Sequence, residues 1–141
     1  MEKVEYPGLL INPDSEINIY FEEKVGVNKT RTSVIIEGSR NGFLSLSNMI
    51  NVYSAYLYDP IVITDFPFVT SQFKFEIVED LDLLPSGYVI RENKAHLKWK
   101  ISEIHLCVVI CMLHSLGYAN NELHLDTDLK PNDISVYCVV K

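Results

Sequence analysis

Apolar and polar residues alternate with a period of two in several separate short stretches of the chain. That restricts it to a fold built on sheets with one buried face. Ile17, Ile19 and Phe21 alternate with Asn18, Tyr20 and Glu22. The β-branched run at 32–37 ends at Gly38, and a polar loop with Gly26, Asn28 and Lys29 separates the two stretches. This spacing predicts an antiparallel pair. Phe73, Phe75 and Ile77 alternate with Lys74, Glu76 and Val78. Residues 88–92, an Asn93-Lys94 turn and 96–101 read as a hairpin, with Leu97, Trp99 and Ile101 facing inward and His96, Lys98 and Lys100 outward. Residues 61–64 suit a short edge strand. Leu123 with Leu125, and Ile134, Val136, Cys138 and Val140, mark two closing strands.

The period changes to 3.6 in one segment. Between residues 43 and 58, Leu46, Met49, Ile50, Tyr53 and Leu57 recur at three- and four-residue spacing, and on a helix their directions fall within about 100°. Asp59-Pro60 ends it, because proline disfavours helical geometry in the residue before it. A second helix is predicted from Ser102 as cap to Leu116, with Gly117 in a left-handed C-terminal position. Val108, Val109 and Ile110 would equally suit a buried strand. These elements predict an α+β domain spanning residues 1–141, mainly antiparallel, with two helices on one face of a sheet.

Composition narrows the class. The 141 residues carry 19 Asp and Glu against 12 Lys and Arg, a net charge of −7, so a sequence-independent grip on nucleic acid is not expected. The longest apolar stretch, 104–113, is interrupted by His105 and is shorter than the roughly 20 residues that cross a bilayer, so no membrane partner is expected. The segment Met1 to Pro7 lacks the basic start and apolar centre of a secretory signal. Three cysteines, Cys107, Cys111 and Cys138, match no disulfide framework. The expectation is a cytoplasmic protein with reduced thiols.

Catalytic patterns are weak. Cys107, Cys111 and His114 fall within about 60° of one helical face, and thiolate and imidazole are donors zinc accepts. No Cys-x-x-Cys knuckle accompanies them, so the plain reading is two small buried residues on a core helix and a histidine near its C-terminus, with no metal or cofactor. Asp126 and Asp128 resemble the start of a calcium loop, but Pro131 and Tyr137 occupy the positions that need glycine and a bidentate carboxylate. Gly38-Ser39-Arg40-Asn41-Gly42 lacks the glycine two places before the serine of a nucleophile elbow, and no phosphate-binding glycine loop is present. Sulfurs in apolar surroundings make poor nucleophiles.

What remains is an acidic domain with its acids gathered in two turns, Glu79, Asp80 and Asp82, and Asp126, Asp128 and Asp133. Tyr56 and Tyr58 project away from the centre of the apolar stripe of the first helix, where a tyrosine serves as an interface anchor or equally packs under a neighbouring loop. In size, acidity, strand and helix pattern, and the loops Glu79-Asp80-Leu81-Asp82 and Asp126-Thr127-Asp128, the chain resembles bacterial toxin-immunity proteins, including those of contact-dependent growth inhibition systems. The resemblance implies a stoichiometric inhibitor whose carboxylates meet the cationic groove of a basic, nuclease-type toxin domain. The competing expectations are an enzyme using the Cys107, Cys111 and His114 face, and a homo-oligomeric scaffold with an exposed apolar patch.

Overall fold

The computed structural model describes residues 11–27, 30–80, 87–125 and 134–141. Strands β1 (Ile17–Val25) and β2 (Thr30–Gly38) form the expected antiparallel pair, with Ile19 opposite Ile36 and Phe21 opposite Val34. The period-two reading holds because the inward residues Ile17, Ile19, Val34 and Ile36 are all buried. Helix α1 (Arg40–Ala55) follows, then β3 (Ile61–Val62), a single 3₁₀ turn at Ile63–Asp65, β4 (Val69–Ser71) and β5 (Lys74–Glu79). The hairpin β6 (Gly87–Asn93) and β7 (His96–Ile101) leads into α2 (Glu103–Ser115), and β8 (Glu122–His124) and β9 (Ile134–Val140) close the chain.

The fold is α+β, but the sheet arrangement departs from the expected one. The described residues form two sheets, ordered β4-β1-β2-β9-β8 and β3-β5-β7-β6, and both are mixed. Parallel pairing joins β1 to β4, β2 to β9 and β5 to β7, whereas β1 with β2, β3 with β5, β6 with β7 and β8 with β9 are antiparallel. Parallel neighbours need a long crossover, and here the crossovers carry α1, the β6 hairpin strand and α2. Alternation reveals which face of a strand is buried and not the direction of its neighbour, so "mainly antiparallel" is corrected to mixed. The helices share one apolar core with the inward faces of both sheets, in place of covering one. No helix among the described residues is long and apolar enough to cross a membrane.

Helix α1 begins where the sequence places a serine. Ser39 Oγ accepts a hydrogen bond from the Gly42 N–H at 2.9 Å, and the Ser39 N–H donates to Glu16 O at 3.0 Å. The main chain of Glu16 therefore lies against the first turn of α1. A Cβ at Gly38 would stand 2.1 Å from Glu16 O, and one at Gly42 2.5 Å from the same atom.

The two helices run antiparallel. The Arg40 guanidinium, at the start of α1, donates to Leu116 O at 3.2 Å, Asn120 O at 3.1 Å and Asn121 Oδ1 at 2.7 Å, supplying a cation to the C-terminal end of α2. Midway, Ser47 Oγ donates to Ile110 O at 3.3 Å. Helix α2 starts at the expected cap, Ser102, which accepts from the His105 N–H at 3.2 Å. Its end differs: no glycine among the described residues has positive φ, so Gly117 is not a left-handed cap. A Cβ there would come within 2.2 Å of Leu44 Cδ2, and close contact between the helices is what the small residue permits.

Replacing Gly42 tests the crossing. In an unobstructed helix Gly→Ala stabilises by up to about 1 kcal/mol. Here the added methyl meets a main-chain oxygen that cannot rotate away, and overpacking of this kind costs about 1–3 kcal/mol. Gly42→Ala is expected to lower the denaturation midpoint in urea, and a higher midpoint would contradict so close an approach.

Candidate docking surface

The candidate site is built by the end of α1. The Leu57 N–H donates to Ser54 O and the Tyr58 N–H to Tyr53 O, both at 3.0 Å, a closing pair of bonds that requires the residue between them to turn left-handed. That residue is Leu57, with φ 59°. Glycine usually takes this position, since a side chain there costs about 1–2 kcal/mol. The Tyr58 ring folds back onto Tyr53, 5.0 Å between centroids, and fastens the turn. Leu57 and Tyr56 are left pointing outward, 81% and 65% exposed.

Other elements bring carboxylates to the same end. The Glu79 N–H donates to Asp59 Oδ1 at 3.2 Å, tying the last residue of β5 to the segment after α1. The Asp80 N–H donates to Ile101 O at 3.0 Å, so the chain leaving β5 runs beside the end of β7. Directly after β7, the Ser102 cap starts α2 and sets Glu103 and Ile104 in its first turn, with Ile104 64% exposed. Leu57, Tyr58, Asp59, Glu79, Glu103 and Leu106 line a small cleft of about 100 Å³.

The electrostatics of this end are one-sided. Among the described residues no Lys, Arg or His nitrogen pairs with Asp59, Glu79 or Glu103. Ion pairs occur elsewhere, as between Lys74 and Glu76 at 3.4 Å, Arg91 and Glu23 at 3.6 Å, Lys98 and Glu92 at 3.4 Å, and Lys141 and Glu37 at 3.1 Å. Carboxylates bordering exposed apolar side chains form a surface able to attract a cationic protein and then bury apolar area against it.

The outward face of the five-stranded sheet has the opposite character. Tyr20, Ile35, Tyr137 and His124 stand in one row across β1, β2, β9 and β8, above a concavity of about 490 Å³. The Tyr20 hydroxyl donates to Glu37 at 3.0 Å and the Tyr137 hydroxyl to Glu122; Ser33 and Ser135 share a bond of 2.8 Å, and His124 packs on Tyr137 at 4.6 Å. Burial, reinforced by the Glu37 bond and charge, raises the Tyr20 phenol above its ordinary value. The bond to Glu122, aided by burial, does the same for Tyr137. These hydroxyls already serve neighbouring carboxylates.

Of the residues singled out from sequence, Tyr58 and Glu79 line the cleft at the α1 end, with Asp80 next to Glu79 in the chain and the exposed Tyr56 next to Leu57. Asp82, Asp126, Asp128 and Asp133 lie outside the described residues. Sequence patterns do not reveal Leu57, Asp59, Glu103 and Ile104: the helical period sets Leu57 in the buried stripe, and Asp59 reads only as a helix stop. The signal for Leu57 was its place at the end of the periodic stripe, just before Asp59-Pro60. Cys107 and Cys111 are exposed, which corrects their expected burial, whereas Cys138 is buried and burial pushes its thiol up. Among the described residues no group of three or more His, Cys, Asp or Glu is placed to hold a metal ion. The His114 ring packs against Tyr118, 5.1 Å between centroids.

Comparison of the chain with protein-family models, with curated proteins and with solved structures found no match.

Two measurements check this geometry. Leu57→Gly should raise stability by about 1 kcal/mol, because the left-handed strain disappears and a mostly exposed side chain loses little packing. An unchanged or lower melting temperature would argue against the turn. The raised phenols favour the folded state while protonated, so their contribution is complete below about pH 10 and is lost as pH rises through their folded-state values. Ultraviolet titration should show tyrosines ionising above the ordinary range, fewer of them in Tyr137→Phe.

Proposed function

We propose that this protein is a binding protein of the toxin-immunity type, which docks a basic toxin domain of nuclease type in the cytosol and neutralises it by covering its cationic groove. The carrying observation is the α1 end, where Asp59, Glu79 and Glu103 lack a cationic partner among the described residues beside the exposed side chains of Tyr56, Leu57 and Ile104. Leu57 adds a separate argument. The left-handed turn closes α1, but glycine would serve that purpose without strain, so a leucine there whose side chain is 81% exposed points to use of the side chain at the surface. Tyrosine and leucine supply the apolar centre of such an interface, and the carboxylates steer the encounter and pair with lysines and arginines at its rim. The free thiols of Cys107, Cys111 and Cys138 suit a reducing compartment.

The test is co-expression with the product of the adjacent gene. A basic domain that co-purifies as a one-to-one complex supports the reading; a neighbour that carries no basic domain, or that does not co-purify, removes it. With a complex in hand, Glu79→Lys combined with Glu103→Lys should slow association about tenfold or more at low salt and flatten its salt dependence. Unaltered association kinetics in a folded double variant would take the α1 end out of the interface.

A further inference from the structure

Helix α2 is apolar around its whole circumference, unlike α1, yet only one side of it is covered. Leu106, Val109 and Leu113 enter the core, whereas Ile104, Cys107, Val108 and Cys111 are exposed, as is Tyr118 just beyond the helix, at 69%. A helix that is apolar all round is ordinarily buried all round. Ile104, Cys107, Cys111, His114 and Tyr118 are spaced 3, 4, 3 and 4, the repeat of a helix seam that packs against another helix. A shallow groove of about 410 Å³ runs along this side between Cys107, Val108, Cys111, Met112 and Ser115.

We infer that this face pairs with the same face of a second copy, the two α2 helices lying antiparallel about a twofold axis near Val109. The ends of the seam identify the occupant. Glu103 opens α2 and His114 lies near its end, on the same flank of the exposed face. An antiparallel twofold keeps that flank on one side and sets Glu103 of one copy within about 1.5 Å, along the axis, of the level of His114 in the other. A carboxylate acceptor then meets an imidazole donor twice, and each helix end faces a dipole of opposite sign. A parallel twofold puts the two flanks on opposite sides and forms neither pair. The middle of the seam holds no charge, so it has nothing with which to select a basic or an acidic foreign partner.

Two quantitative consequences follow from the geometry. An interface one helix face wide falls at the small end of protein–protein interfaces, below or near about 1,200 Å², so the dimer is expected to dissociate on dilution. Each copy carries a net charge of −7, so the dimer strengthens as salt screens the repulsion. Docking of a basic partner at the α1 end weakens under the same conditions, which separates the two associations. Glu103 and Ile104 border both surfaces, so they compete, but the dimer does not rest on the partner reading.

Sedimentation of the full chain from about 1 to 500 μM, a range that spans a micromolar constant, is expected to show a monomer–dimer equilibrium whose association constant rises several-fold between low and high salt. Cys111→Glu, at an exposed position, should be monomeric throughout, and Cys111→Ala should still dimerise. Oxidation by copper phenanthroline should join Cys107 of one copy to Cys111 of the other, identified as a linked peptide pair. A monomer at every concentration, a dimer undisturbed by Cys111→Glu, or crosslinks joining like cysteines would each overturn the inference.

Discussion

The main chain of Glu16 passes so close to the first turn of α1 that a methyl group at Gly38 or Gly42 would collide with its carbonyl. Much of the structure depends on that approach. It lets β1 enter its sheet directly beneath the start of the helix, so that Phe43, Leu46, Met49 and Ile50 all lose contact with water against the inward faces of the strands. With α1 buried there, its N-terminal Arg40 is in place to bind the end of α2, and its C-terminus comes beside the start of α2, where Leu57 and Glu103 line one cleft. The absence of a side chain at two positions thus governs where both ends of α1 lie.

Polar groups divide into those the fold has satisfied and those it has left facing solvent. Glu76, almost fully buried, accepts from His96 at 2.9 Å and lies 3.4 Å from Lys74, as a buried carboxylate must find partners. The tyrosines of the five-stranded sheet donate to Glu37 and Glu122. At the α1 end the balance differs. Asp59, Glu79 and Glu103 have no Lys, Arg or His paired with them among the described residues, and apolar side chains project beside them. Because a carboxylate already paired with a cation has less charge to offer a second one, that contrast and not acidity in general selects the surface.

Several features were legible in the residues alone because their causes are local. Ser102 caps α2 through a bond to the N–H three residues on, and alternation at 17–22 and 96–101 assigned the buried faces correctly, whereas the Ser39 cap that starts α1 at Arg40, ahead of the apolar stripe, was not read from the sequence. Gly117 misled, since a glycine after a helix suggests a left-handed cap, whereas its small size is needed against Leu44. The left-handed role fell instead to Leu57, a residue type that gives no warning of it. Of the site, the tyrosines and the Glu79-Asp80 pair were visible, and Asp59, Glu103 and Ile104 were not. Their proximity arises from the bond between Glu79 and Asp59 and from the β7 to α2 junction.

By itself the sequence determined where most of the strands and both helices lie, the cap that starts α2 and the buried face of the alternating strands, because hydrogen-bonded caps and side-chain period act over a few residues; it did not show that α1 starts at Arg40 or that Val69–Ser71 is a strand. Only the tertiary structure decided that β9 lies parallel to β2, joining Ser33 to Ser135 across 102 residues of chain. It likewise decided that one side of the apolar helix α2 stays uncovered and that Asp59, Glu79 and Glu103 share one end. Neighbours of that kind are selected by which distant surfaces can be buried together, and no local pattern records the choice.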